Sequence, residues 1–174
     1  VDRLTDGSGR IGELSLSELR ALDVLGSGES IPTLGDALAA IPSSVAVNVE
    51  LKESGIAADA VDALDAVDNR AIVSSFSRDA LRATREASAS IPTAFLADRL
   101  RDRPVTAAVE LDCQYVHPRF TLCLYSPLVR RAHALDLGVN VWTVDDPLLA
   151  RALLALGVDG VVTDRSGIVP SGSR

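Results

Sequence analysis

Long apolar runs are missing from these 174 residues, so no segment is built to cross a membrane as a helix. Aromatic residues make up 3% of the chain, and Trp142 is the single tryptophan. The hydrophobic fraction still reaches 47%, so one soluble domain with a sizeable core is expected, made mostly of aliphatic residues. Lysine is nearly absent: Lys52 stands alone among 17 basic residues. Against 24 acidic residues these give a net charge of −7, and the basic residues are scattered. Such a surface disfavours non-specific binding to nucleic acid or to an anionic membrane. Cys113 and Cys123 have no nearby His/Cys set, which excludes a zinc or redox CxxC site and a disulfide framework; both are expected to be free structural thiols. GxGxxG, P-loop, HExxH and GxSxG motifs do not occur either. The chain begins at Val1 with no signal-peptide pattern, and a cytoplasmic location is expected.

What is present is a strict alternation of helix and strand signals. Ser15 and Glu18 have capping-box spacing before a short helix, and Pro32-Thr33 opens another that runs to about Ala40. Ile56–Val67 has helical apolar spacing, with Asp59, Asp62, Asp65 and Asp68 on a solvated face. Ser77 should cap a helix through about Ser88, and Pro104–Val109 gives a weaker helical turn. Strands are expected over Val45–Leu51, Ala71–Phe76, Thr93–Leu96, Gln114–His117, Val139–Val144 and Val158–Thr163. Ser126-Pro127 and Asp146-Pro147 each place a cap before a proline at the first helical position, and Gly138 and Gly157 should end those helices. These last two units form a weak repeat of about 20 residues, which means parallel strands joined by helical crossovers. A doubly wound sheet and a (β/α)₈ barrel both fit. Six strands are about two units short of a full barrel.

The strand Val45–Leu51 carries the chemistry. Its odd-numbered residues are apolar, whereas Asn48, Glu50 and, just beyond, Lys52 share the opposite face. That pattern suits an edge strand with a solvated face. It suits equally a barrel strand whose polar end opens at the C-terminal mouth, where barrel active sites lie. Asn140 and Trp142 alternate in the same way, so Trp142 is either a core residue or a wall of a pocket.

Taken in order, TDGSG (Thr5–Gly9), IPTL (Ile31–Leu34), VNVELK (Val47–Lys52), VSSFS (Val73–Ser77), VHP (Val116–Pro118), VWTVDD (Val141–Asp146) and GVDGVVTD (Gly157–Asp164) resemble the C-terminal part of a glycerophosphodiester phosphodiesterase domain. The resemblance implies an α/β fold of the TIM-type (β/α)₈ barrel, here incomplete and holding strands three to eight. It places residues 1–174 in one such domain, with a loop and helix excursion over residues 1–30 and βα units over 31–170. It implies metal-dependent hydrolysis of a small-molecule glycerophosphodiester to sn-glycerol 3-phosphate and an alcohol. Glu50 would bind a divalent cation, Mg²⁺ or Ca²⁺. Lys52 would sit beside the phosphate, and Trp142 would line the substrate pocket.

The family's HRG, ExD and HD motifs have no match in the chain, so neither catalytic histidine nor two of the metal-binding carboxylates is present. The chain is therefore expected to be a truncated and inactive portion, whose open seam could also drive oligomer formation. His117 at a strand end is read as structural or solvent-exposed, and His133 as a helix-surface residue. A degenerate barrel that binds phosphodiesters or a protein partner without turnover is the competing expectation. An unrelated open-sheet protein is the third.

Overall fold

The computed structural model describes residues 1–168. The last two residues of the expected 31–170 block lie outside that range. Chain packing separates a first compact unit, Val1–Pro42, from a second that begins at Ser43. In the first unit, helices α1 (Leu16–Arg20) and α2 (Leu34–Ala40) each start with a complete capping box, Ser15 with Glu18 and Thr33 with Asp36. Asp36 also accepts from the Arg20 guanidinium at 2.8 Å, tying the second helix to the first.

The second unit is one sheet of six parallel strands: β1 (Val47–Glu50), β2 (Ala71–Ser75), β3 (Thr93–Ala97), β4 (Tyr115–Pro118), β5 (Gly138–Val141) and β6 (Gly160–Val161). Their order is strictly sequential, without the reversal of a doubly wound sheet, and this is the order of a barrel wall. Among the described residues, β1 and β6 each have a strand partner on one side only.

The register decides which side chains share a face. Glu50 pairs with Ser74, Ser74 with Ala94, Ala94 with Tyr115, and Tyr115 with Gly138. Leu96 pairs with His117 in the next layer. Since side chains alternate along a strand, Ser74, Leu96, His117 and Asn140 lie on the same concave face as Glu50. Val73, Phe95, Ala97, Val116, Val139 and Val141 point the other way and are buried. Helices α4 (Arg78–Ala87), α5 (Pro104–Glu110), α7 (Leu128–His133) and α8 (Pro147–Ala155) pack against the strands, with α3 (Ala57–Asp65) against α4 and α6 (Thr121–Leu124) against α7.

The helices follow from their apolar spacing and caps. In α3, Ala57, Ala60, Val61 and Leu64 are buried, while Asp59, Asp62, Asp65 and Asp68 are exposed as expected. Ser77 accepts the Ala80 N–H, and Asp146 accepts those of Leu148 and Leu149, each cap worth about 1 kcal/mol. Cys113 and Cys123 are free thiols buried in the helix–sheet core, where desolvation raises both pKa values, that of Cys123 to about 11.

The penultimate unit departs from its sequence pattern. Pro127, not Ser126, is the N-cap of α7, and the Ser126 hydroxyl donates back to the Leu122 carbonyl. The reason is α6, a short helix the sequence did not signal, which ends just before and claims that hydroxyl. Gly138 is not a helix terminator either: Asp136 takes the left-handed conformation at φ 57°, and Gly138 starts β5. A Cβ at Gly138 would sit 2.5 Å from the Tyr115 ring, so glycine is needed for strand packing. Gly157 does adopt φ 95° after α8, as its position suggested. Strands β5 and β6 are also shorter than their valine runs, which leaves Trp142 one residue past β5, in an isolated bridge with Arg119.

Candidate functional site

The C-terminal ends of the strands carry the polar residues of the concave face. Glu50 closes β1, and two residues on, a spacing that returns a side chain to the same side, Lys52 forms an ion pair with it. The pair stands at the edge of the sheet. Its Glu50 side chain is 33% exposed and its Lys52 side chain 74% exposed.

Trp142 lies further round the wall. Its indole N–H donates to the His117 carbonyl at 2.8 Å, which fixes the ring against the end of β4. The ring meets Phe76 edge-on, with centroids 5.6 Å apart and planes at 85°. Phe76 follows β2 and Trp142 follows β5, so this contact spans the two strands between them and measures how tightly the sheet is curved. The side chains those two strands contribute, Leu96 and His117, are buried. Phe76 itself remains 47% exposed.

His117 is 3% exposed, and burial alone lowers its pKa to about 4. The Asn140 side-chain amide lies 3.0 Å from its Nε2. An imidazole that is neutral at pH 7 accepts this hydrogen bond and carries its own proton on Nδ1. The structural reading of His117 is the observed one; it is not at the solvent. His133 sits on the helix surface and pairs with Asp159 at 2.9 Å, and Asp159 also accepts the Val139 N–H.

Of the residues singled out in the sequence, Glu50 and Lys52 meet directly, whereas Trp142 meets Phe76. Phe76 and the His117–Asn140 pair were not recognised as parts of this face. Phe76 could have been found by extending the alternation of β2 two residues beyond Ser74. The Asn140 partner depends on register between β4 and β5, which no local pattern encodes.

The donor set can be weighed against a divalent cation. Mg²⁺ and Ca²⁺ take several hard oxygen ligands. Among the strand residues of the concave face one is a carboxylate, Glu50, with an ammonium already on it. Among the described residues no group of three or more His, Cys, Asp or Glu side chains could hold a metal ion. These residues alone do not make a cation site. Nor, among them, is any helix long and apolar enough to cross a membrane.

Comparison with known proteins gives a consistent picture. The profile of the glycerophosphoryl diester phosphodiesterase family matches residues 1–168. The chain is 33% identical to "Probable glycerophosphodiester phosphodiesterase 2" of Mycobacterium tuberculosis, over 93% of its own length and 67% of that protein's. It is 28% identical to a glycerophosphodiester phosphodiesterase of Caldanaerobacter subterraneus, over 94% and 73% of the two lengths. Among solved structures, an Oleispira antarctica phosphodiesterase in complex with its product sn-glycerol 3-phosphate superimposes with a TM-score of 0.84 at 27% identity. That match covers 94% of this chain and 72% of the other.

Proposed function

The chain belongs to the glycerophosphoryl diester phosphodiesterase family of phosphoric diester hydrolases, and on that premise we propose that its concave mouth handles a glycerophosphodiester for hydrolysis to sn-glycerol 3-phosphate and an alcohol. The observation that carries this reading is the Glu50–Lys52 pair at the end of β1, on the face that also carries the Phe76–Trp142 corner.

Lys52 is the phosphate contact. Its ammonium is mostly exposed and can swing from the Glu50 carboxylate to a non-bridging phosphate oxygen, acting as a point charge. Phe76 and Trp142 supply an apolar wall for the carbon skeleton, and the bond from Trp142 to His117 keeps that wall in place. Glu50, once released, would supply one carboxylate toward a divalent cation only together with ligands that these residues do not provide. When bound, that cation would offset charge on the phosphate oxygens.

Hydrolysis also needs a base for water and an acid for the leaving alkoxide. His117 offers neither, because it is buried and its accepting nitrogen is taken by Asn140. The 174 residues by themselves should therefore bind a glycerophosphodiester without turning it over. A phosphodiester- or partner-binding barrel without catalysis is the second reading, favoured by the same incomplete donor set. The edges of β1 and β6 that have no strand partner among the described residues would support self-association.

The test is release of glycerol 3-phosphate from glycerophosphocholine with Mg²⁺ or Ca²⁺. No turnover above background is expected from the chain alone. Activity should appear when a segment of a relative carrying HRG, ExD and HD is fused to it, and Glu50→Gln in that fusion should abolish the metal-dependent rate. An active fusion indifferent to Glu50→Gln would remove the assigned role of Glu50. An inactive, folded fusion would favour the binding module, and turnover by the unaided chain would refute the account of the missing acid–base groups.

A further inference from the structure

A cavity of about 390 Å³ opens beside Phe76, at the C-terminal ends of β2 and β3. Phe76, Phe95 and Leu96 form its apolar side, so it straddles the ends of the strands, and Arg78, Arg101, Asp102 and Arg103 form its rim. Phe76 is shared with the Trp142 corner, so the cavity adjoins the wall proposed above. Neighbouring strands are ~4.8 Å apart, so β3 lies roughly 10 Å from Lys52, the reach of a short alcohol arm beyond a phosphate held there.

The charges on the rim do not cancel. Arg78 is already committed, bonded to Glu110 at 2.9 Å and stacked over the Phe95 ring. Asp102 accepts the Arg99 backbone N–H within its own turn. The Arg101 and Arg103 side chains are exposed and make no hydrogen bond or salt bridge among the described residues, although the Arg103 charge is felt by Glu110. Counting Glu110 with the Arg78 that binds it, three guanidiniums stand against two carboxylates, which leaves a net positive rim in a chain whose overall charge is −7. Arg103 is moreover held in the left-handed conformation at φ 52°, a rare arrangement for a non-glycine residue, directly before the helical proline Pro104.

Resting on the reading of Lys52 as the phosphate contact, we propose that this cavity receives the alcohol arm of the substrate and that Arg101 and Arg103 select an arm ending in an anion, a carboxylate or a second phosphate. Guanidinium binds both groups through paired N–H donors. A quaternary ammonium arm would gain from the aromatic faces of Phe76 and Trp142, but it is repelled by the same two arginines. The arginines therefore act as specificity-determining residues, not as catalytic ones.

The experiment is a binding titration of the chain, followed by fluorescence of its only tryptophan and by NMR. The probes are four sn-glycero-3-phospho esters, of 4-hydroxybutanoate, glycerol phosphate, butanol and choline. The carboxylate and phosphate arms should bind about tenfold more tightly than the choline arm, with the butyl ester between. Arg101→Gln with Arg103→Asn should bring all four to within about twofold, leaving the butyl ester unchanged. Arg101→Gln alone, on an exposed turn, should remove part of the preference if the double variant does not fold. A preference for only one of the two anionic arms, abolished by the same variants, would support the proposal and identify the group selected.

Lys52→Ala should weaken all four esters alike. Equal binding of all four, or an anion preference that survives the arginine variants, would overturn this inference while leaving the phosphate reading intact. Absence of any Lys52 effect would overturn the phosphate reading and this inference with it.

Discussion

Two polar pairs on one concave face have opposite characters. Glu50 and Lys52, at the edge strand, are charged, solvated and exchangeable; His117 and Asn140, at the centre of the wall, are neutral, buried and locked together. The chemical types would suggest the reverse ranking, since histidine is the usual proton carrier near pH 7. Burial reverses it. An imidazole whose pKa has fallen to about 4 and whose lone pair is occupied serves the fold, while the ion pair keeps its ammonium exposed to solvent.

The sharpest way to break the contrast is His117→Ala. It leaves a cavity and strips the Asn140 amide of its partner, at a cost of about 3 kcal/mol. Urea unfolding should register that loss; a change below about 1 kcal/mol would mean the pair is not structural. A pH series sharpens the same point with the native chain. The folded pKa of about 4 lies below the ordinary 6.5, so between these values the unfolded chain binds more protons. This contribution is fully present above pH 6.5 and is lost as pH falls toward 4, by up to about 3 kcal/mol. His117→Gln should flatten the dependence in that window, with stability measured from pH 7.5 to 4.5; an unchanged slope would assign it to other groups.

Phe76→Ala comes next, with an expected cost of about 1 kcal/mol for the aromatic contact and a change in Trp142 fluorescence that shows the corner is occupied in solution. The smallest effect on stability belongs to Lys52→Ala, within about 0.5 kcal/mol because the pair is solvated, even though the same change should weaken binding of every phosphate ester. A large loss of stability there would erase the distinction between the two pairs.

The alternation of Asn48, Glu50 and Lys52 made one side of β1 legible directly from the chain, and the Ser77 and Asp146 caps located their helices to within a residue. The barrel order itself came from resemblance, because periodicity alone could not separate it from a doubly wound sheet. Contacts across strands stayed hidden. That Phe76 reaches Trp142, and that Asn140 holds His117, depends on curvature and register, which are properties of the assembled sheet. Ser126 and Gly138 were misjudged for a related reason. Each has a second partner, the Leu122 carbonyl and the Tyr115 ring, that outweighs the local motif.

The strictly sequential strand order has a kinetic consequence. Val47 meets Ala71, Val73 meets Thr93, Tyr115 meets Gly138 and Asn140 meets Gly160, so each pairing closes a loop of only 20 to 24 residues. Loop-closure entropy grows slowly with length, and the separation never widens as strands are added. Growth of the sheet can then proceed by accretion, each helix–strand unit docking on its predecessor without waiting for a distant segment. Pairing between neighbours in sequence favours faster folding than a parallel sheet whose adjacent strands lie far apart along the chain.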